Sequence, residues 1–350
     1  MKPGKALILV LLLFTASGPA FGQVKDPYKV FNDYRAMARS GKAYAGAPLK
    51  GKIIGFANIV GTFPFCVAVE NNIKEHLKRA GLDLGKGWIS MDNQGDSAIG
   101  LKNAEIMLSR KPSFFIEFQR DPLVNNVVAA KFGAAKIPLL AIDVPIPGSP
   151  FMGCDNYKAA LMCGHLMARM IRERWGGWDG VDMVVLGQAP RLGDVAMLRS
   201  EGVAHALAED FGIQPDDPKI VRFDFVHDAP EESGWGFAEV LAAHPDAVKI
   251  AAAAINEICM AGIITAMQSA GRWDPANKVI VTMGADDIGQ FQIREGLSDA
   301  AIAFFPERYG EYVVPAVCAI LTGNPVPPYI FVENEVITKA NIDQWYPKKR

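Results

Sequence analysis

Four polar side chains stand where two apolar runs of the chain end. Phe114 to Phe118 is apolar except for Glu117 and is followed by Gln119 and Arg120; Pro138 to Ile142 is a second run, ending at Asp143. A carboxylate accepts hydrogen bonds, an amide donates and accepts, and a guanidinium donates in a fork. Such a set suits recognition of a small polar molecule. The segment between the runs carries apolar residues at Val124, Val127, Val128 and Phe132, a helical spacing. The unit is therefore strand–helix–strand, with strands too apolar for a half-wet sheet, so they are expected to be parallel and covered on both faces. In open α/β sheets ligands bind outside the carboxyl ends of the strands. Glu117, Gln119, Arg120 and Asp143 thus mark a candidate binding edge.

No catalytic pattern competes with this edge. There is no G-x-S-x-G elbow, and no Ser/His/Asp or Cys/His constellation can be argued from the spacings. Gly187-Gln-Ala-Pro-Arg-Leu-Gly193 lies between a strand and a helix but lacks the glycine and lysine spacing of a phosphate loop. The five histidines are scattered, and nothing resembles H-E-x-x-H, so neither a metal nor a cofactor is expected. The five cysteines, Cys66, Cys154, Cys163, Cys259 and Cys318, read as small buried hydrophobes. A Cys154–Cys163 bridge stays open, although that pair straddles a helix start.

At 350 residues, half of them hydrophobic, the chain is long enough for two α/β domains. Charge is nearly balanced, 36 Lys and Arg against 38 Asp and Glu, so no basic field calls for nucleic acid. The N-terminus reads as a cleavable signal peptide over residues 1–22. Lys2 and Lys5 precede the apolar Ala6 to Phe14, and Ala20-Phe21-Gly22 is a small-x-small cleavage site. The apolar core is far shorter than the roughly 20 residues of a spanning helix. Loss of the two lysines takes the formal charge from −2 to −4. A periplasmic location is expected.

The elements that must position the binding edge alternate strictly. Residues 23–50 read as a polar, irregular N-terminal extension. Strands are expected at 53–57, 88–91, 114–118, 138–142, 181–187, 220–225, 251–254, 279–285, 300–305 and 329–336, the last as one strand from Tyr329 to Val336. Helices fill the intervals, and Asp155-Asn156 caps a long one through Ile171. The βα unit repeats about nine times, in two similar halves meeting near residues 150–160. A closed eight-stranded barrel is the rival topology. The paired halves and the late return strand favour two doubly wound α/β lobes.

In this order and spacing the chain resembles the type I periplasmic sugar-binding proteins, the ribose- and galactose-binding group that serves ABC importers. The resemblance covers roughly residues 51–340. It rests on Phe63-Pro64-Phe65, the run AKIPLLAID ending at Asp143, and Cys154-Asp155-Asn156-Tyr157. Arg199-Ser-Glu-Gly202, Ala254-Ile-Asn256-Glu257 and Met283-Gly-Ala-Asp286 complete it. It implies two doubly wound parallel-sheet lobes joined by a three-strand hinge. Residues 51–155 with about 306–332 would form one lobe, and 156–305 with about 333–345 the other. It further implies a ligand cleft between the lobes that closes by hinge motion.

By the same resemblance, Asp143, Asn256 and Asp286 match positions that bond sugar hydroxyls, and Phe65 matches a ring that stacks on a sugar. Trp235 and His227 fall in a second-lobe region that supplies another contact. The departures are Phe63 for a frequent Asn, Val144 for a frequent Arg, Met197 for a ligand-binding Arg, and Phe304 for a late Gln or Asn. Each loses a hydrogen bond worth about 0.5–1.5 kcal/mol. Glu117, Gln119 and Arg120 are placed to compensate, whereas Arg199 reads as a salt-bridged helix turn. The expected cleft has a polar pole and an aromatic wall that includes Phe118. It suits a sugar, a substituted or deoxygenated sugar, a cyclitol, or a polar-headed hydrophobic molecule. The implied protein is a monomeric, non-enzymatic receptor that delivers ligand to an ABC permease and its ATPase. The alternative is a sensory receptor of the same fold. A related transcription regulator is disfavoured by the signal peptide and the lack of a helix-turn-helix.

Overall fold

The computed structural model describes residues 26–227 and 229–348, so the expected signal peptide lies outside the described residues. The strands, in chain order, are β1 (Ile54–Asn58), β2 (Trp88–Asp92), β3 (Phe114–Glu117), β4 (Leu139–Ile142), β5 (Phe151–Gly153), β6 (Met183–Gln188), β7 (Ile220–Asp224), β8 (Ile250–Ala254), β9 (Lys278–Gly284), β10 (Ala300–Ala303), β11 (Tyr329–Phe331) and β12 (Glu335–Thr338). They form two six-stranded sheets, ordered β11-β5-β4-β3-β1-β2 and β12-β10-β9-β8-β6-β7. Every pairing is parallel except that of β12 with β10. These are two separate doubly wound lobes, not one closed barrel.

Burial explains the sheet order. β1, β3, β4, β6, β8, β9 and β10 are buried along their whole length, as continuous apolar runs require. The edge strands β2, β7, β11 and β12 are only partly covered. β8 is Ile-Ala-Ala-Ala-Ala, a sequence of high helix propensity. It lies between β6 and β9, where its short side chains let helices pack closely, and that tertiary context overrides propensity.

The chain passes between lobes three times, after β5, after β10 and after β11. The passages are tied together. Asn334 Nδ2 donates to the Ala303 carbonyl at 3.0 Å and lies 3.6 Å from Cys154 Sγ, and Val332 N–H donates to the Gly153 carbonyl at 3.0 Å. All five cysteines are buried, and Cys154 and Cys163 are not bridged.

Three expectations need correction. The stretch from Tyr329 to Val336 is not one strand: β11 and β12 belong to different sheets, and the hinge passage lies between them. A short strand not expected from the sequence, β5, lies in the junction between the halves. It pairs with β4 and β11, and three residues are too few for a periodicity to show. Finally, the N-terminal extension is not irregular. Lys29–Arg39 is a helix with Phe31 and Ala38 buried, and it packs on the helix Gly310–Leu321. Its apolar stripe is thin enough to read as polar sequence. Arg35 stacks 4.3 Å from the Tyr312 ring centroid, and Arg39 lies 2.7 Å from Glu333 in the third passage.

Candidate functional site

The carboxyl ends of the central strands of both sheets open on one interlobe cavity of about 140 Å³. Its polar groups come from both lobes and its aromatic wall mainly from the first.

Asp143 follows β4 in the left-handed region, with φ 56°. This costly conformation for a non-glycine residue turns the carboxylate toward the hinge. There it accepts the Tyr309 hydroxyl at 2.9 Å and the Cys154 backbone N–H. Gly153 makes room, since a Cβ at that position would lie 2.5 Å from Asp143 Oδ1. Burial pushes the Asp143 carboxyl up to about 6, while the Tyr309 hydrogen bond and the nearby Arg199 charge pull it down. The same burial, with the Asp143 charge, drives the Tyr309 phenol well above its ordinary range.

Arg199 enters from the helix Asp194–Phe211. Its Nε donates to Asn156 Oδ1 at 2.7 Å, its Nη1 donates to the Ile255 carbonyl, and its guanidinium carbon lies 5.0 Å from the Phe304 ring centroid. This is not a salt-bridged surface turn: the partners are neutral oxygens and an aromatic face, and they aim a fixed cation into the cleft. Met197, expected near the ligand, is not among the lining residues. Two residues of helix rotate a side chain by about 200°. Val195, Ala196 and Arg199 share the cleft-facing side, and Met197 cannot.

Asn256 and Asp286 cap helices and line the cleft at once. Asn256 Oδ1 accepts from Cys259 N at 3.0 Å, and Asp286 Oδ1 accepts from Ile288 N and Gly289 N at 2.9 and 3.1 Å. Burial raises the Asp286 carboxyl. Between them lies Glu257, which is 2% exposed and accepts the Ala285 N–H at 2.6 Å. Burial, and then the charge of Asp286, push its carboxyl far up. A Cβ at Gly284 would lie 2.4 Å from Glu257 Oε2, and one at Gly289 would lie 2.8 Å from Oε1. The two glycines shape a slot for that carboxyl.

Facing this pole are Phe63, Phe65, Phe118 and Phe304. Phe63 immediately precedes the helix Pro64–Arg79, whose proline at the first position fixes the turn. Phe65 meets Tyr309 edge-on, with ring centroids 5.6 Å apart.

The structure therefore brings together Phe63, Phe65, Arg120, Asp143, Asn256, Asp286 and Phe304, with Phe118 and Val144. It does not place Glu117, Gln119 or Trp235 in the cleft wall. Glu117 is still inside the β3 ladder, opposite Ala57 and Ala141. Alternation sends its side chain to the face of Phe115, away from the face of Ile116 and Phe118. It is 1% exposed and accepts from Asn93 Nδ2 at 3.0 Å, and burial pushes its carboxyl up to about 8. Gln119 is equally buried, and a Cβ on Gly100 would meet its Nε2. Trp235 is 70% exposed because the helix Pro230–Ala243 buries the face of Ser233, Phe237, Val240 and Leu241 instead. His227 pairs with Glu232 at 2.6 Å outside the cleft. Sequence reasoning missed Arg199 and Glu257. The helical spacing from Val195 to Arg199 was a usable signal for the first. For the second, only the two distant glycines hint at the slot.

Comparison with known proteins agrees with this architecture. The model of the periplasmic binding protein domain matches residues 54–325, starting at the first residue of β1. An ABC transporter periplasmic solute-binding protein from Actinobacillus succinogenes, solved with bound D-allose, is similar in structure. Its TM-score is 0.72 at 16% identity, covering 84% of this chain and 99% of that one. A solute-binding protein from Bacillus halodurans with bound myo-inositol has TM-score 0.72 at 16% identity, covering 86% and 99%. One from Agrobacterium vitis with bound allitol has TM-score 0.72 at 18% identity, covering 86% and 100%. No curated protein sequence matches significantly. Among the described residues no helix is long and apolar enough to cross a membrane, and no group of three or more His, Cys, Asp or Glu could hold a metal ion. The match over most of the chain, on two parallel-sheet lobes around a polar cleft, makes this chain a member of the type I periplasmic binding proteins, a family of non-enzymatic solute binders.

Proposed function

We propose that the protein captures a small polyhydroxylated molecule, a sugar or cyclic or linear polyol, in the interlobe cleft and delivers it, as a monomer, to an ABC permease and its ATPase. One observation carries the reading: Arg199, Asp143, Asn256 and Asp286 converge on a single cavity opposite a wall of Phe63, Phe65, Phe118 and Phe304. Carboxylates, amides and a guanidinium satisfy hydroxyls, and aromatic faces cover the C–H surface of a ring or chain. The bound ligands of the similar structures, D-allose, myo-inositol and allitol, belong to this class. The Arg199 cation replaces the charge expected at positions 144 and 197. Arg120 adds a second cation on the first lobe. Binding between two lobes desolvates a ligand on both sides, and closure gives a permease a shape to read.

The test is a thermal-shift panel of pentoses, hexoses, cyclitols and alditols, followed by calorimetry and a turnover assay. A stabilising shift without product formation is expected. A flat response across the panel sinks the carbohydrate reading.

A further inference from the structure

We infer that Glu257 is a positioning residue for ligand capture: its carboxyl holds Ala285 in a left-handed backbone conformation and so aims Asp286 into the cleft. The inference rests on the sugar or polyol reading of that cleft. Asp286 comes from the turn that ends β9. Gly284, the last residue of the strand, has φ 138°, and Ala285 after it has φ 58°. A residue with a Cβ rarely adopts such a φ, and it persists only where the surrounding structure holds it. The turn delivers Asp286 to the start of the helix Asp287–Glu295, where both capping bonds fall on Oδ1. Oδ2 is then the oxygen left for a ligand hydroxyl.

Side chains supply the hold. The Ala285 N–H donates to Glu257 Oε1 at 2.6 Å, and the Ala285 carbonyl accepts from Gln290 Nε2 at 3.1 Å. Ala285 is fully buried, and a buried N–H without an acceptor is costly. Gln290 belongs to the helix that the turn opens, so it moves with what it steadies. Glu257 comes from elsewhere in the chain. It is the first residue of the helix Glu257–Ser269, which follows β8. From there it grips the turn twice: its carboxyl takes the Ala285 N–H, and its backbone carbonyl accepts from Gln292 Nε2 at 3.0 Å. The carboxyl itself is fixed, because a Cβ on Gly284 would lie 2.4 Å from its Oε2 and one on Gly289 would lie 2.7 Å from Glu257 Cγ. Asn256, immediately before it, caps the same helix from the cleft wall. One carboxyl therefore ties together the ends of β8 and β9, which present Asn256 and Asp286. Burial disfavours the charge on that carboxyl, so an uncharged amide of the same shape is a fair substitute for it.

The experiment measures, by calorimetry at neutral pH, how tightly the best-binding sugar or polyol of the panel binds the wild type and a set of variants. Glu257→Ala should weaken binding at least tenfold. Glu257→Gln, which keeps an oxygen for the Ala285 N–H, should recover most of that loss. Ala285→Gly placed in the Glu257→Ala protein should recover at least threefold, because glycine adopts φ 58° without a holder. In an Asp286→Ala background, Glu257→Ala should cost less than threefold more, since the carboxyl acts through Asp286. A tenfold cost that persists in that background overturns the inference, as does a glycine that recovers nothing. A Glu257→Ala protein that binds as wild type does also overturns it, and the sugar reading then stands. Hydrogen exchange of the Ala285 amide in the wild type checks the bond without any substitution. Slow exchange is expected, and exchange at the rate of an open loop overturns the inference even if Glu257→Ala fails to fold. If no sugar or polyol of the panel binds the wild type, the sugar reading has failed and the inference with it.

Discussion

The Tyr309 hydroxyl donates to Asp143 at 2.9 Å across 166 positions of sequence. It joins the strand end that carries the cleft carboxylate to the second passage between the lobes. The bond has a consequence for pH. Burial holds the Asp143 carboxyl at about 6, and the Tyr309 donor counteracts that rise. The ionised form, the better acceptor for a hydroxyl, therefore fills as pH increases through about 6. Ligand affinity is expected to rise over the same interval and level off above it. Tyr309→Phe removes the donor, so the midpoint moves to higher pH and affinity at neutral pH falls about tenfold. Calorimetric titrations between pH 5 and 8 check this, and Asp143→Ala should abolish binding. A pH-independent affinity in wild type would show that Asp143 does not contact the ligand.

Arg199 and Met197 make a paired prediction. Arg199→Met removes a cation held by Asn156 and the Ile255 carbonyl over Phe304, and affinity should fall by about 10²-fold or more. Arg199→Lys keeps the charge but loses the planar fork, so it recovers only part of the loss. Met197→Ala should change affinity less than threefold. Equal effects of the two truncations would mean that the helix presents a different face to the ligand.

The buried carboxyls predict an unusual fall of stability with pH. Glu117, at about 8, keeps in the folded state a proton that the unfolded chain releases in the ordinary carboxylate range. Its contribution is thus fully present at low pH and lost as pH rises to about 8. His76, held down to about 4 by burial, acts in the opposite direction, but its effect is complete above its ordinary value of 6.5. The interval from pH 6.5 to 8 therefore reports on Glu117, and Glu257, also raised by burial, acts in the same direction. Urea unfolding should show about 1–2 kcal/mol lost across it on account of Glu117. Glu117→Gln should remove that part of the slope, and a slope unchanged by that variant would count against the assignment.

The N-terminal helix precedes the family match, which starts at residue 54. Its hold on the first lobe is apolar. Phe31 is 2% exposed, and Phe31→Ala should cost about 3–5 kcal/mol. Arg39→Ala breaks partly exposed pairs with Glu333 and Glu311 and should stay within about 1 kcal/mol. Chemical denaturation of both variants decides; a larger effect at Arg39 would make the ion pair, not the packing, the anchor.

Much of the architecture was legible because it depends on local pattern. The apolar runs that became β1, β3, β4, β6 and β9 are buried on both faces, so each is nearly continuous in hydrophobicity and easy to see. The residues that cap helices at the cleft, Asn256 and Asp286, were legible for the same local reason. Short or thinly patterned elements were not: β5 has three residues, and the helix Lys29–Arg39 buries only Phe31 and Ala38 fully.

The sequence by itself determined the alternating α/β layout, the two halves, and the strand-end carboxylate Asp143. Those follow from periodicity and from the rule that parallel strands offer their carboxyl ends to ligands. Only the tertiary structure decided which polar residues face the cleft. Glu117 and Gln119 sit beside Phe118 and Arg120 in sequence, but alternation sends neighbours to opposite faces, and Glu117 and Gln119 are buried away from the cleft. Arg199 became the central cation because Asn156, Ile255 and Phe304, from three other parts of the chain, hold it there. Direction on a sheet or helix turns on a single residue of register, and long-range packing sets that register.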